Sequence, residues 1–288
     1  MTSATTTGYV TSADGTAIGY HRLGGGPGLV VLHGQMESAQ SHRQLAEALA
    51  GTFTVYLPDR RGRGLSGPYG ADHSVEREVE DLAAVLAASG AERVFGVSVG
   101  ALVLLRAAIT LPAIRQAAVY EPPLFVDGPA PTAWLDRFDR ELAAGRVADA
   151  LVTAMLAAKM GPPVFGVLPR GLLAFLSGRM MAAQAAKAAE GDVTMRMLAP
   201  TLSQEGRLVA RLARTQEELR AVRADTLLMG GGKSPAYFKA ALDALERVVP
   251  NARRVEFAGL GHGGSGNTDQ RGKPDRVAAE LRGFFSAS

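Results

Sequence analysis

The stretch from Arg93 to Gly100 constrains the fold of this 288-residue chain more than any other. An apolar run too short for a helix is followed by a serine between two glycines and then by a long run rich in alanine and leucine. This order predicts a strand, a sharp turn and a helix, with the small neighbours of Ser98 letting the backbone bend until its hydroxyl projects from the turn. The N–H groups at the start of the helix suit acyl transfer, because a developing oxyanion needs fixed donors beside the nucleophile. A purely structural turn has the same pattern, so the rest of the chain decides between the two interpretations.

Composition limits the classes of function. Hydrophobic residues make up 47% of the chain, enough for the core of one large α/β domain, with or without an inserted lid. The formal net charge is only +3, and the one dense basic run, 60–63, has no interleaved aromatic residues, so we do not expect nucleic acid as a partner. The absence of cysteine excludes disulfides and thiolate metal sites, and we predict neither a metal site nor a cofactor.

The N-terminal segment and the hydropathy pattern bear on location. The first seven residues are polar and lack the charged segment and apolar core of a signal peptide. No stretch of transmembrane length is free of charge. We therefore expect a soluble cytoplasmic protein without a membrane partner. The excess of arginine over lysine and the abundance of alanine hint at a GC-rich bacterial genome.

Strand patterns alternate with helical patterns at both ends of the chain. The predicted strands are 8–10, 16–22, 29–32, 53–57, 93–97, 117–120, 226–229 and 254–257. Between them, helical patterns alone fill a long segment, at 132–144, 146–159, 169–190 and 204–222. The fold class is therefore α/β, with a mostly parallel sheet flanked by helices. We expect a core domain of residues 1–121 and 222–288, and a helical cap inserted as residues 122–221.

Polar side chains with chemical potential follow several of these strands. In parallel sheets, functional groups gather at the carboxyl ends of the strands. The candidates at such ends are His33, Ser98, Glu121, Lys233 and His262. We expect them to lie near one another at one edge of the sheet.

The order of motifs along the chain resembles the α/β-hydrolase fold family. These motifs are a His-Gly loop at 33–34, an Asp-Arg-Arg-Gly-Arg-Gly-x-Ser loop at 59–66, the Gly-x-Ser-x-Gly turn at 96–100, the helical insertion and Gly-x-Gly-His at 259–262. The resemblance covers nearly the whole chain. Their combination is much more specific than any one of them.

The resemblance implies roles for particular residues. Ser98 matches the nucleophile, and His262 matches the general base that takes its proton and later protonates the leaving group. The backbone N–H groups of Gln35 and Val99 match the oxyanion donors. His33 resembles a histidine that braces the oxyanion loop, and the aspartate at the start of the 59–66 loop resembles a buried residue that accepts from backbone donors. The remaining histidines lack a motif and are expected at the surface or in packing: His21, His42 and His73.

The acid of the expected triad departs from the family pattern. Related sequences commonly carry it in the loop after the strand 226–229, where this chain has Lys233, which cannot accept an N–H from histidine. Glu121 ends the neighbouring strand, and related hydrolases are known that carry their acid there. We therefore predict Glu121 as the acid. A structural alternative pairs it with Lys233 or with an arginine of the cap.

Apolar residues of the cap are candidates for the substrate pocket. Six of the nine methionines lie in the cap: Met155, Met160, Met180, Met181, Met195 and Met197. Methionine-rich surfaces adapt to varied apolar shapes, so as a set they favour a hydrophobic substrate. The residues predicted to contact it are Met36, Trp134, Met160 and Met181. Packing of the cap on the core is the structural alternative.

The leading hypothesis is a serine hydrolase that cleaves an ester, thioester or lactone of a small to medium apolar compound through an acyl-enzyme. The same fold also hosts C–C bond hydrolases, lyases and cyclases, and fold analogy does not choose among them. A catalytically silent ligand-binding scaffold is a third hypothesis, and the presence of both Ser98 and His262 argues against it. The oligomeric state stays open, with a homodimer among the options.

Overall fold

A single sheet of eight strands runs through the part of the chain that the structure describes. This computed structural model describes residues 5–126, 128–158, 163–212 and 215–287. The strands are β1 (Thr6–Thr11), β2 (Ala17–Gly24), β3 (Gly28–Leu32), β4 (Thr54–Pro58), β5 (Arg93–Val97), β6 (Gln116–Tyr120), β7 (Asp225–Gly231) and β8 (Ala252–Phe257). Every strand predicted from the sequence is present, with ends that agree to within two residues.

The sheet is mostly parallel and has the order β1-β2-β4-β3-β5-β6-β7-β8. Strand β2 is antiparallel to β1 and β4, and the other neighbouring pairs are parallel. Strands β5 and β6 are adjacent, and their register pairs Val97 with Tyr120. Ser98 and Glu121, the next residue of each strand, therefore leave the same edge of the sheet side by side.

Helices cover both faces of the sheet. They are α1 (Arg43–Leu49), α2 (Val75–Ser89), α3 (Val99–Thr110), α4 (Leu135–Ala143), α5 (Val147–Ala157), α6 (Arg170–Lys187), α7 (Met195–Leu198), α8 (Thr201–Leu212), α9 (Ala236–Val248) and α10 (Pro274–Ser286). Helices α2, α3 and α9 pack in one hydrophobic cluster, and α1 and α10 pack in a second one. Val94 and Phe95 of β5 belong to different clusters, as alternation along a strand requires. The central strands are thus buried on both faces, which explains their uninterrupted apolar runs.

The described residues between β6 and β7 form helices and loops without a strand, in agreement with the predicted helical segment. The predicted helix 204–222 is wrong as one unit, because α8 ends at Leu212 and a separate 3₁₀ turn spans Gln216–Ala221. The Thr215 hydroxyl donates to the Leu212 carbonyl, which satisfies a carbonyl at the end of α8. None of the described helices has the length and apolar character needed to cross a lipid bilayer.

A buried ionic network joins the 59–66 loop to α2 and to α8. The Arg60 guanidinium donates to both carboxylate oxygens of Glu78, at 2.6 and 2.8 Å, and to Glu205 at 2.7 Å. Arg63 donates to the same oxygen of Glu205 at 3.0 Å. All four side chains are buried, so each charge is stabilised only while its partner is present. These ion pairs therefore hold the inserted helices to the sheet.

Candidate active site

The turn at Ser98 has a strained backbone. Ser98 adopts φ 52° and ψ −118°, a conformation that residues with a side chain rarely occupy. The neighbouring glycines make it possible, because a Cβ on Gly96 would lie 2.7 Å from the Gly100 carbonyl oxygen. A Cβ on Gly100 would lie 2.5 Å from the His33 carbonyl oxygen. The strain and these close approaches are typical of a turn that presents a nucleophilic serine.

The loop after β3 passes directly beside this serine. A Cβ on Gly34 would lie 3.0 Å from the Ser98 Cβ, so glycine is needed for the approach. Gln35 follows in this loop, and Val99 is the first residue of α3, whose first N–H groups have no partner within the helix. The structure thus brings both segments that were predicted to supply oxyanion donors next to Ser98.

The imidazole of His262 is held by Glu121. The Nδ1 atom of His262 lies 2.8 Å from Oε2 of Glu121, whose side chain is only 1% exposed. The other carboxylate oxygen, Oε1, accepts the Gly231 backbone N–H at 2.6 Å. Because a carboxylate only accepts, Nδ1 carries the proton and Nε2 is left with its lone pair. Within the described residues Glu121 makes no ion pair with a lysine or arginine, so the predicted structural alternative is not what is observed.

The segment at Lys233, where the acid was first expected, makes a backbone contact instead. The Lys233 N–H donates to the Leu260 carbonyl at 2.8 Å, and its side chain is exposed. Tyr120 provides a second tie, since its hydroxyl donates to the Gly261 carbonyl at 2.8 Å and its own carbonyl accepts the Ser98 N–H at 2.9 Å. The loop that carries the histidine is therefore fixed to both β6 and β7.

Comparison with known proteins decides the family. The model of the alpha/beta hydrolase family matches residues 29–280. This chain belongs to the alpha/beta hydrolase family. The pimeloyl-(acyl-carrier protein) methyl ester esterase of Xanthomonas oryzae pv. oryzae (strain MAFF 311018) is 28% identical over 268 residues, which cover 92% of this chain and 97% of that protein.

Solved structures agree with this assignment. An alpha/beta hydrolase from Sphaerobacter thermophilus DSM 20745 is 34% identical, with a TM-score of 0.78, and the match covers 96% of this chain and 100% of that one. An esterase from Rhodococcus sp. ECU1013 is 22% identical, with a TM-score of 0.68 over 98% of both chains, and shares the fold.

The hydrolase keeps His33 and Asp59 in structural positions, as expected. Nε2 of the buried His33 accepts the Arg60 backbone N–H at 3.0 Å, and Nδ1 lies 2.9 Å from the Gly34 carbonyl. Burial and the nearby arginines hold the pKa of His33 well below its usual range, so the ring is neutral. Asp59 accepts backbone N–H groups from Ala39 and Leu65 at 2.8 and 2.9 Å.

The expectation for His42 is incomplete, because this histidine is fully buried in an ion pair that faces the site. Its Nε2 lies 3.0 Å from Oε2 of Glu37, and its Nδ1 lies 3.3 Å from the Ser265 carbonyl. Both ring nitrogens face acceptors, so both carry protons. Burial lowers the pKa of His42, but the Glu37 carboxylate outweighs burial and raises it. The same Glu37 oxygen accepts the Gly34 N–H at 2.6 Å, so this pair connects the oxyanion loop with the loop of His262.

Sequence reasoning missed this pair because neither residue lies at a strand end. The one local signal is their position around the 3₁₀ turn Ala39–His42, which Ser38 and Ser41 cap reciprocally. That turn brings residue 42 back towards residue 37.

The apolar candidates for the substrate pocket and the other methionines between β6 and β7 differ in exposure. Met36 and Trp134 pack against one buried cluster of residues from the helices between β6 and β7, which includes Phe138. Met181 is also buried, on α6. In contrast, 53% of Met180 and 57% of Met197 is exposed to solvent. These two methionines therefore differ from Met181 in exposure, and the contact of methionines with an apolar substrate stays a prediction.

Met160, predicted to contact the substrate, lies outside the described residues. Within the described ranges, no group of three or more histidine, aspartate or glutamate side chains is arranged to hold a metal ion.

Proposed function

We propose that this alpha/beta hydrolase cleaves carboxylic esters through an acyl-enzyme on Ser98, with His262 as general base and Glu121 as the acid that orients it. The observation that carries the proposal is the 2.8 Å contact between His262 Nδ1 and a Glu121 carboxylate whose other oxygen is held by a backbone N–H. A serine hydroxyl is a weak nucleophile without such a base. A buried carboxylate behind the imidazole sets its tautomer and stabilises the imidazolium that forms.

The reaction proceeds in two transfers. The Ser98 oxygen attacks the ester carbonyl carbon while His262 Nε2 takes the hydroxyl proton, and the N–H groups of Val99 and Gln35 stabilise the oxyanion. Collapse of this intermediate breaks the C–O bond, and His262 returns the proton to the departing alcohol. Water then repeats the sequence on the acyl-enzyme and releases the carboxylic acid. The structure has no hydrogen bond between the Ser98 hydroxyl and His262 within the described residues, and such bonds often shorten only when substrate is bound.

The bond type and the substrate class have separate support. The Xanthomonas relative is named as a methyl ester esterase and the Rhodococcus structure is an esterase, which favours an ester over the C–C bonds that other members of the fold cleave. Met36, which follows Gln35 in the oxyanion loop, and Trp134 pack against the same buried cluster, and these apolar residues favour a small to medium apolar acyl or alcohol group. We further propose that residues 122–221 form a cap over this site. The cytoplasmic location and a homodimer stay predictions.

Active-site labelling tests the nucleophile. A fluorophosphonate probe should label the wild type rapidly and at Ser98 alone, because Ser98 is the serine that the proposal places beside a general base and oxyanion donors. Ser98→Ala should abolish both labelling and hydrolysis of nitrophenyl esters, whereas the control Ser89→Ala at the end of α2 should preserve both. Labelling that survives Ser98→Ala unchanged would exclude the assignment. Absence of ester turnover in the wild type would favour C–C bond chemistry or a silent scaffold.

A further inference from the structure

The imidazole ring of His262 lies face to face on the ring of Phe238. The two ring centroids are 4.2 Å apart and the ring planes differ by 14°. Phe238 belongs to the first turn of α9 and is only 3% exposed, whereas 35% of the His262 side chain is exposed. Glu121 holds one edge of the imidazole, and Phe238 covers one of its faces.

This stack follows from the unusual loop after β7. A Cβ on Gly231 would lie 2.5 Å from the Leu260 carbonyl oxygen, and the Lys233 N–H donates to that same oxygen. The loop 231–235 is thus in close contact with the segment that leads to His262, and it carries no acidic residue of its own. Pro235 precedes α9, and its carbonyl accepts the Phe238 N–H at 3.1 Å. The start of α9 is therefore placed where its third residue meets the imidazole.

Other aromatic rings support Phe238 from behind. The Tyr237 ring lies 4.1 Å from the Phe238 ring at 33°, and it stacks on Phe125 with centroids 5.4 Å apart and planes 6° apart. Phe125 follows Glu121 by four residues in the segment that leaves β6. The Phe238 ring therefore has little freedom to turn away from the histidine.

We propose that Phe238 is a positioning residue for His262, which keeps the imidazole in plane with Glu121 and stabilises the imidazolium that forms when the ring takes the serine proton. The inference rests on the proposed role of His262 as general base. The face of an aromatic ring carries negative charge density, so it attracts a cation more strongly than a neutral ring. The attraction grows as the proton is transferred, and interactions that strengthen in the transition state raise kcat rather than lower KM.

Charged groups on other elements also face His262 and have to be kept constant in a test. Glu121 contacts it from the end of β6, and the Glu37 carboxylate in the loop after β3 interacts with it electrostatically. Substitution of Phe238 leaves both carboxylates in place. The decisive variant is Phe238→Leu, which keeps an apolar side chain but removes the aromatic face. Phe238→Tyr restores the face.

The kinetic experiment compares kcat and KM for a nitrophenyl ester across pH. Phe238→Leu should lower kcat by about three- to tenfold with little change in KM. The acidic limb of its pH profile should move to lower pH, because the charged ring is less stabilised and His262 stays neutral further into acid. Phe238→Tyr should restore both values. The control Phe285→Leu, a buried phenylalanine on the opposite face of the sheet, should lower stability without moving the pH profile.

An NMR titration of the His262 ring protons, assigned by their loss in His262→Gln, makes the test independent of turnover. The midpoint of the titration should fall in Phe238→Leu and return in Phe238→Tyr. An unchanged midpoint together with unchanged kcat overturns the inference. A drop in kcat that merely follows the unfolded fraction overturns it as well. If the wild type hydrolyses no ester, the proposed function fails while the titration still decides whether Phe238 stabilises the charged ring.

Discussion

The backbone at Glu121 has an uncommon conformation, and its side chain contacts both the loop of His262 and the end of β7. Its φ is 47°, in the left-handed region, and its N–H donates to the Met229 carbonyl of β7 at 3.0 Å. The residue thus turns out of β6 while remaining bonded to the next strand. Glutamate is one methylene longer than aspartate, and this length lets one carboxylate reach both Gly231 and His262.

Replacing this carboxylate by an amide tests its role in catalysis. Glu121→Gln should lower kcat by about 10²–10⁴-fold, because an amide of the same shape neither balances the imidazolium nor sets the tautomer. Unfolding midpoints in urea should show that the fold persists. The control Glu256→Gln changes an exposed carboxylate on β8 and should retain full turnover. Near-wild-type turnover in Glu121→Gln would remove this residue from the triad.

The Glu37–His42 pair should make stability depend on pH. The raised pKa of His42 means that its contribution is complete below the unfolded value of about 6.5 and is lost as the pH rises through the folded value. The free energy of unfolding of the wild type should therefore exceed that of His42→Gln by about 1–3 kcal/mol at pH 6, with a difference that shrinks towards pH 9.

Urea denaturation at several pH values measures this difference. The pKa of Glu37 is lowered despite burial, mainly by His42, so its own contribution is lost only in acid, below the range of the experiment. A matched change in an exposed pair, Glu47→Gln beside Arg43, should cost less than about 0.5 kcal/mol at every pH. If the difference in the free energy of unfolding between wild type and His42→Gln were the same at every pH, a charged His42 would be contradicted.

At the scale of elements, the 59–66 loop is the point where sheet, α2 and the inserted helices meet. Arg60 and Arg63 share Glu205 of α8, which is fully buried. A paired charge in such a place adds little net stability over an apolar substitute, but removal of one partner leaves the other uncompensated. The network thus makes the position of α8 depend on the loop that also carries Asp59.

Glu205→Gln should destabilise the protein by about 3–5 kcal/mol, because it leaves two buried guanidinium groups short of a partner. The control Glu217→Gln removes one member of the exposed pair with Arg220 and should change stability by less than about 0.5 kcal/mol. Chemical denaturation of each variant measures its change in the free energy of unfolding. Equal effects of the two substitutions would show that the buried network does not hold α8.

For the whole molecule, the candidate site lies at the edge of the sheet, where Ser98 and Glu121 directly follow strands β5 and β6. Met36 and Trp134 pack against a buried cluster of residues from the helices between β6 and β7. In the proposed function, the sheet therefore supplies the reacting groups and these helices set the substrate preference. Such a division explains how one fold hosts many substrates.

Esters of graded acyl length test this division. The free energy from kcat/KM should improve by about 0.8 kcal/mol for each buried methylene until the pocket is full. Trp134→Ala should reduce that slope while Ser98 labelling persists. Its control, Phe175→Ala, changes a residue of α6 that is largely exposed to solvent and should leave the slope unchanged. A flat or inverted dependence on chain length would show that the helices pack only on one another.

Much of this protein is determined by local sequence. The apolar runs at 29–32, 94–97 and 227–229 indicate strands inside the sheet, because a strand that is covered on both faces is apolar at successive positions. The two glycines around Ser98 specify the turn, since any side chain there would collide with backbone oxygens. Hydrophobic periodicity and the residues that form turns are properties of a few neighbouring positions, so they can be recognised in the sequence. For this reason the sheet, its parallel class and the serine at its edge could be predicted.

The tertiary structure decided contacts that no local pattern records. Glu121 and His262 are 141 residues apart in the chain, and their contact, which the family resemblance led us to expect, depends on β6, β7 and β8 lying side by side in that order. The stack of Phe238 on the imidazole was not expected, because no sequence pattern places the start of α9 against His262. Sequence pattern likewise showed which residues between β6 and β7 are apolar, but not that Met180 would be exposed to solvent while its neighbour Met181 is buried. Such contacts are set by the order, register and docking of whole elements, and no local period records them.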